Sequence, residues 1–146
     1  MFARPTAELR EELLALNGVG PETADSILLY AGNHPAFVVD AYTRRILERH
    51  YVVSTKATYD EIRELFEQAL GETVPPGRSL EGGPVAAGPQ GSCHRPSRMS
   101  TAPRTAVAQV FNEMHGLIVG VGKNYCLKSQ PRCEQCPLQK FLPEPK

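Results

Sequence analysis

At 146 residues, 41% hydrophobic and 22% charged, the chain has ordinary globular composition and is long enough for one domain with a real core, or for one with a small appendage. No apolar run reaches membrane-spanning length and no apolar block follows the start, so a soluble, cytoplasmic protein without membrane contact is expected. Sixteen basic and sixteen acidic residues cancel, which excludes net charge as a guide to a partner.

The distribution of charge is uneven. Residues 1–72 carry seven Lys/Arg against twelve Asp/Glu, and residues 91–146 carry eight against three. A basic C-terminal portion suits a polyanion, and a solvated basic surface explains it equally well.

In chain order, Thr6 reads as the N-cap of a first helix, AELREELLAL, with Leu9, Leu13 and Leu16 on one face. The turn Asn17–Gly20 ends it. Pro21 suits the first position of a second helix, where the N–H it lacks would be unpaired anyway. Ala24, Ile27, Leu28 and Ala31 form that helix's apolar stripe. GNHPAFVVD reads as a loop with a short extended end, and Asp40 can cap a third helix, AYTRRILERHY. Thr58 and Glu61 make a capping box for a fourth, in which Tyr59, Ile62, Leu65, Phe66 and Ala69 line up. A fifth helix over 106–123 places Val107, Val110, Phe111, Met114, Leu117 and Ile118 at helical spacing. No segment alternates for long, so the fold class is all-α.

Residues 72–105 differ from the rest. About a third of the stretch is Gly or Pro, and it has almost no large apolar side chains to offset the entropy of ordering. A disordered insertion is expected there, between a helical unit over 1–71 and a C-terminal helix with a cysteine loop over 106–146.

The G-V-G turn between two helices leaves backbone N–H groups without partners. Together with the positive end of the second helix they suit a phosphate oxygen, and glycines let it approach. The other reading is a plain αα-corner. Asp40 has a similar alternative, since an aspartate before a helix is usually only a cap. The order of features is more telling than any one of them: hairpin turn, helix, Gly/Pro loop through Gly32 and Pro35, then an aspartate at a helix start.

LLALNGVGPETADSILLYAGNHPAFVVDAYTRRIL resembles the helix-hairpin-helix and Gly/Pro-loop-and-Asp signature of the endonuclease III superfamily of DNA glycosylases. FNEMHGLIVGVGKNYC and the cysteines after it resemble that family's C-terminal part. The resemblance implies a partial copy of the family's helical barrel, since members carry several helices before the hairpin. It also implies that apolar faces on the first three helices are left uncovered and that full activity of these 146 residues is not expected. By the same resemblance Asp40 is the catalytic carboxylate in base excision repair of double-stranded DNA, acting on a flipped, damaged base. Asn17, Gly18, Val19, Gly20, Glu22 and Thr23 bind DNA. Carbonyls of Leu14, Leu16 and Val19 match positions that ligate a monovalent cation, and a monomer is expected.

Strand-cutting members of the family carry a lysine where Glu22 stands, and that amine forms a Schiff base. A carboxylate cannot, so the resemblance is to members that only release the base. It is nearest to the branch that removes alkylated purines such as 3-methyladenine.

Cys126, Cys133 and Cys136 form C-x6-C-x2-C, a spacing that favours metal over disulfide in an intracellular chain. The family pattern implies a [4Fe–4S] cluster with a fourth cysteine, but Leu142 occupies that position. Cluster, zinc and free thiols all stay open on three ligands. Lys123, Lys128, Arg132 and Lys140 would make this loop a basic arm against the DNA backbone, or a solvated tail. His115 reads as a packed helix histidine. Two further readings remain: a non-catalytic hairpin that binds DNA, and a small iron–sulfur or zinc protein.

Overall fold

The computed structural model describes residues 4–74, 79–80 and 104–143. Its helices are α1 (Thr6–Leu14), α2 (Pro21–Ser26), α3 (Ala41–Arg49), α4 (Tyr59–Gly71) and α5 (Ala106–Asn124). α2 continues without a break into a π-helical turn, Ile27–Ala31. Two 3-10 turns, Cys133–Gln135 and Gln139–Phe141, follow α5. The all-α expectation holds with one addition. β1 (Ser79–Leu80) pairs antiparallel with β2 (Arg104–Thr105), Ser79 opposite Thr105 and Leu80 opposite Arg104. These residues belong to the stretch expected to be disordered, as does Glu72, which sits at the C-cap of α4. Thr73 and Val74 turn back onto the end of α4, and the remainder of that expectation, with Cys93, falls outside the described residues. Among the described residues no helix is long and apolar enough to cross a membrane.

Several expected faces turn out differently. Thr6 is the first residue of α1 and does not cap it; its hydroxyl meets His34 Nδ1 at 2.9 Å. Leu9 and Leu13 are buried, but Leu16 lies past the helix end and is exposed. In the second helix Ala24 and Leu28 are buried, while Ile27 and Ala31 are only half-buried; Asp25 and Leu29 go inside instead. The buried set Ala24, Asp25, Leu28 and Leu29 keeps helical spacing; its face is set by Arg10 against Asp25 and by the core around Leu29, and the π turn closes the helix with Gly32 N–H donating to Ile27 O at 3.0 Å. In α4 the capping box forms in both directions and Ile62 is buried, but Leu65 and Ala69 face solvent and Leu70 packs inward. In α5 Phe111 is buried and Leu117 is exposed.

Nor are the first three helices bare. Leu9, Leu13, Ala24, Leu28 and Ala36 form one apolar cluster. Leu29, Phe37, Val38, Val39, Ile62, Ala108 and Phe111 form another. The clusters share the extended segment Ala36–Val39, all four residues of which are buried. Being extended without a strand partner, that segment has buried N–H groups that need side-chain acceptors. α4 supplies them. Phe37 N–H donates to Glu67 Oε1 at 3.0 Å, and Val39 N–H donates to the Tyr59 hydroxyl at 3.3 Å. Phe37 also stacks on Phe66, ring centres 4.2 Å apart, and meets Phe111 edge-on.

One charge is wholly buried. Asp25 of α2 is held by Arg10 of α1, with Nε to Oδ1 at 2.7 Å and Nη2 to Oδ2 at 3.2 Å. The second Nη2 contact, at 2.9 Å, reaches Asp60 of α4. The forked pairing answers both carboxylate oxygens, which a buried charge requires. It ties three helices together beneath the hairpin.

α3 and α5 pack closely because Gly122 lets them. A Cβ built at Gly122 would stand 2.3 Å from Tyr42 Cδ1 and 2.7 Å from Tyr42 Cβ. The second clash is at the root of the side chain, which no rotamer change relieves. Arg45 reinforces the contact by donating to Cys126 O at 2.7 Å and Gly122 O at 3.3 Å. Gly122→Ala is therefore expected to lower stability by about 1–3 kcal/mol through overpacking, read as a lower melting temperature by circular dichroism. An unchanged melting temperature would contradict this packing.

Candidate active site: the hairpin and Asp40

The hairpin is built by three residues with separate jobs. Gly18 has φ +85°, a left-handed conformation that favours glycine. Gly20 is extended and precedes Pro21 at the first position of α2. A Cβ at Gly18 or Gly20 would meet nothing within 4 Å, so the turn opens onto free space. Val19 N–H donates to Leu16 O at 3.1 Å. No backbone bond is donated by Gly18, Gly20, Glu22 or Thr23 to another described residue. These are the donors a phosphate would use. Asn17, Gly18, Gly20, Glu22 and Thr23 are exposed, and Val19 is half-buried. Leu14 closes α1, with Leu16 and Val19 in the turn after it.

Asp40 is the N-cap of α3. Its Oδ1 accepts from Thr43 N–H at 2.7 Å and from the Thr43 hydroxyl at 2.9 Å. Its Oδ2 lies 3.4 Å from Nε2 of His115, which comes from α5. That distance is within ion-pair reach, yet Nε2 is buried and makes no aligned hydrogen bond. The other imidazole nitrogen, Nδ1, is hydrogen-bonded to the Tyr30 hydroxyl. The side chain of Asp40 keeps 14% of its surface in solvent. Burial pushes the carboxyl up, but His115 and the two Thr43 donors outweigh it and hold the value below the ordinary carboxylate range. Asp40 therefore stays ionised. The stability it contributes is present above the ordinary carboxylate range and is lost as pH falls through its lowered value.

The helix that starts at the hairpin also ends at this site. Tyr30 lies nine residues after Pro21 on one continuous helix, roughly 13 Å along its axis at 1.5 Å per residue. Hairpin and carboxylate are thus linked through one continuous helix and the Tyr30–His115 contact.

A helix-hairpin-helix motif matches residues 8–30, which covers this hairpin and the helix behind it. A proposed DNA repair glycosylase of Methanocaldococcus jannaschii is 60% identical over 67 residues, 46% of this chain and 30% of that protein. Mouse endonuclease III-like protein 1 is 29% identical over 133 residues, 90% of this chain and 32% of the mouse protein. The hairpin motif and these relatives support the endonuclease III and helix-hairpin-helix glycosylase superfamily. It spans about 30% of the length of the curated relatives it matches. Recombination protein RecR of Synechococcus is 42% identical over 53 residues, 36% of this chain and 27% of RecR.

The C-terminal loop departs from the superfamily pattern, and the structure locates the departure. Cys126, Cys133 and Cys136 are free thiols that line one pocket. Leu142 lines the same pocket where the pattern has its fourth cysteine, and His50 does so from the end of α3. Arg49 Nη1 donates to Cys126 Sγ at 3.2 Å and to Leu127 O at 2.6 Å. His50 Nδ1 lies 3.3 Å from Phe141 O. Among the described residues no three His, Cys, Asp or Glu side chains are grouped tightly enough for a single metal ion. Lys123, Lys128, Arg132 and Lys140 are all exposed.

Two site residues escaped the sequence reading of the superfamily motif. His115 packs, as expected, but onto Asp40. A usable signal existed: it falls four residues after Phe111 and three before Ile118, on the inward face of α5. Tyr30 had no such signal, because it lies off the predicted apolar stripe and its ring stays partly exposed.

Proposed function

We propose that this chain carries the hairpin and catalytic carboxylate of a DNA glycosylase in base excision repair. The observation that carries the reading is the division of Asp40's oxygens: Oδ1 is consumed by the helix cap, while Oδ2 makes no aligned hydrogen bond. A carboxylate oxygen has two lone pairs, so Oδ2 can serve both His115 and a reacting group. The hairpin amides grip a backbone phosphate of duplex DNA, and the carbonyls of Leu14, Leu16 and Val19 hold a monovalent cation that braces the turn. The damaged nucleotide is turned out of the stack towards Asp40.

The bond from C1′ to the base nitrogen breaks, and the electron pair leaves with the base. Ionised Asp40 stabilises the cationic sugar that remains and accepts a proton from the water that adds to C1′. The products are free base and an abasic site. An alkylated purine suits this site, because a base already carrying positive charge departs without a strong general acid. Glu22, exposed at the first turn of α2, has no amine for a Schiff base, so the strand stays intact. The protein acts as a monomer.

The helix-hairpin-helix match over residues 8–30 also suits a second reading, a hairpin that binds DNA without chemistry. The two diverge at Asp40. Asp40→Asn keeps a good cap and removes the charge. On methylated duplex it is expected to reduce release of free methylated base by on the order of 10²-fold or more, with duplex affinity preserved. No borohydride-trapped complex forms with either protein. Equal release from both proteins, or a trapped complex, would sink the proposed chemistry.

The donor chemistry of the C-terminal pocket fits a [4Fe–4S] cluster better than one ion: three thiols and the His50 imidazole surround a space. Cys126, Cys133 and Cys136 would hold it, with Arg49 N–H already donating to Cys126 Sγ. Such a group would stiffen the loop that carries the exposed lysines and Arg132. Anaerobically purified protein is expected to contain iron and acid-labile sulfide in equal amounts, both lost in Cys133→Ser. Protein with neither would remove the cluster from the account.

A further inference from the structure

We infer that Tyr30 and His115 form a tautomer relay behind Asp40: the tyrosine hydroxyl donates to Nδ1, and the neutral imidazole presents Nε2–H to Oδ2. The inference rests on the reading of Asp40 as the catalytic carboxylate and adds two positioning residues to it.

A neutral imidazole has one N–H, and which nitrogen bears it is set by the partners. At His115 the partners are unequal. Nδ1 meets a hydroxyl, which can donate or accept. Nε2 meets a carboxylate oxygen at 3.4 Å, which can only accept while ionised. Were the proton on Nδ1, two lone pairs would face each other across a buried gap. With the proton on Nε2, every group has a complement. The Tyr30 hydroxyl is suited to the donor's part. Burial, followed by the charge of Asp40, pushes its pKa up, and Arg104 only partly offsets them, so it keeps its proton.

The ring is held in plane for this task. Phe37 meets it edge-on, centres 6.4 Å apart at 88°, and the Tyr30 ring is tilted over it at 5.9 Å. The charged or titratable groups around it are Tyr30 from the π turn, Asp40 before α3 and, beyond Tyr30, Arg104 of β2. Arg104 is itself engaged, its Nε donating to Asn33 Oδ1 at 2.7 Å. A doubly protonated His115 would pair with Asp40 and cancel the charge that the cationic sugar needs. The neutral relay aims the same oxygen and leaves its charge intact, a division of labour seen wherever a buried partner fixes a histidine's tautomer. The present 3.4 Å separation is the loose form expected before substrate binds.

Two independent readouts test this on the whole chain. Nitrogen-15 NMR of labelled histidine near neutral pH should find His115 bearing its proton on Nε2. Tyr30→Phe should weaken that preference. In single-turnover release of methylated base, His115→Ala should slow the reaction on the order of 10²-fold, as misplacement of a reacting group does, with duplex affinity unchanged. His115→Gln carries an amide N–H near the Nε2 position and should recover most of that loss. A His115 that is protonated on Nδ1 or doubly protonated overturns the relay, as does a His115→Gln no faster than His115→Ala. A wild-type chain that releases no base would sink the glycosylase reading instead, and the nitrogen shifts would still decide the relay.

Discussion

The structure depends on a buried extended segment without a strand beside it. Ala36–Val39 threads between the two apolar clusters; Ala36 N–H donates to His34 O at 2.9 Å, and the N–H groups of Phe37 and Val39 are answered by side chains. Glu67 and Tyr59, both from α4, supply the acceptors. Removing either acceptor would strand a buried donor, a loss of about 1–3 kcal/mol. This is why a four-residue stretch with no regular structure can deliver Asp40 to a fixed place. Tyr59 has a second duty: burial pushes its hydroxyl well up, with Val39 N–H opposing and Asp25 adding to the rise.

Asp40 combines two demands that usually compete. A cap wants its oxygens turned to the helix, and a catalytic carboxylate wants them turned to substrate. Here the two oxygens divide the work, with Thr43 supplying both of the donors that hold Oδ1. The other oxygen is watched over by α5, which reaches the site only because Gly122 permits close approach to α3. Gly122 and Asp40 thus belong to one packing solution. Arg45 and Arg49 complete it by binding the carbonyls after α5, which anchors the cysteine loop to the same helix that Asp40 caps.

Much of this was legible from residues in order. The helix starts at Pro21, Asp40 and Thr58 were readable because caps and first-turn prolines act locally, through neighbours three residues away. The hairpin was readable for the same reason. Faces were less so. Leu16 and Ala69 satisfy a helical repeat yet lie exposed, because burial is set by what the helix packs against. The π turn at Ile27–Ala31 leaves no mark in local propensity. The Tyr30–His115–Asp40 line joins residues up to 85 positions apart, and only tertiary packing brings them together. The Arg10–Asp25 pair is long-range in the same sense: Asp25 looked like one polar residue among several in α2, and its burial follows from α1 lying across it.

The central claim is that ionised Asp40 faces a positive charge on the sugar of an extruded nucleotide. Affinity for duplexes carrying abasic-site analogues tests it without any turnover. One analogue places a protonated pyrrolidine at the sugar position, and the other a neutral tetrahydrofuran of the same shape. The wild-type chain should bind the cationic analogue about tenfold or more tightly than the neutral one, given the strength of a close charge pair near a protein surface. Asp40→Asn should lose that preference while binding the neutral analogue as before. The same preference in both proteins would contradict the account.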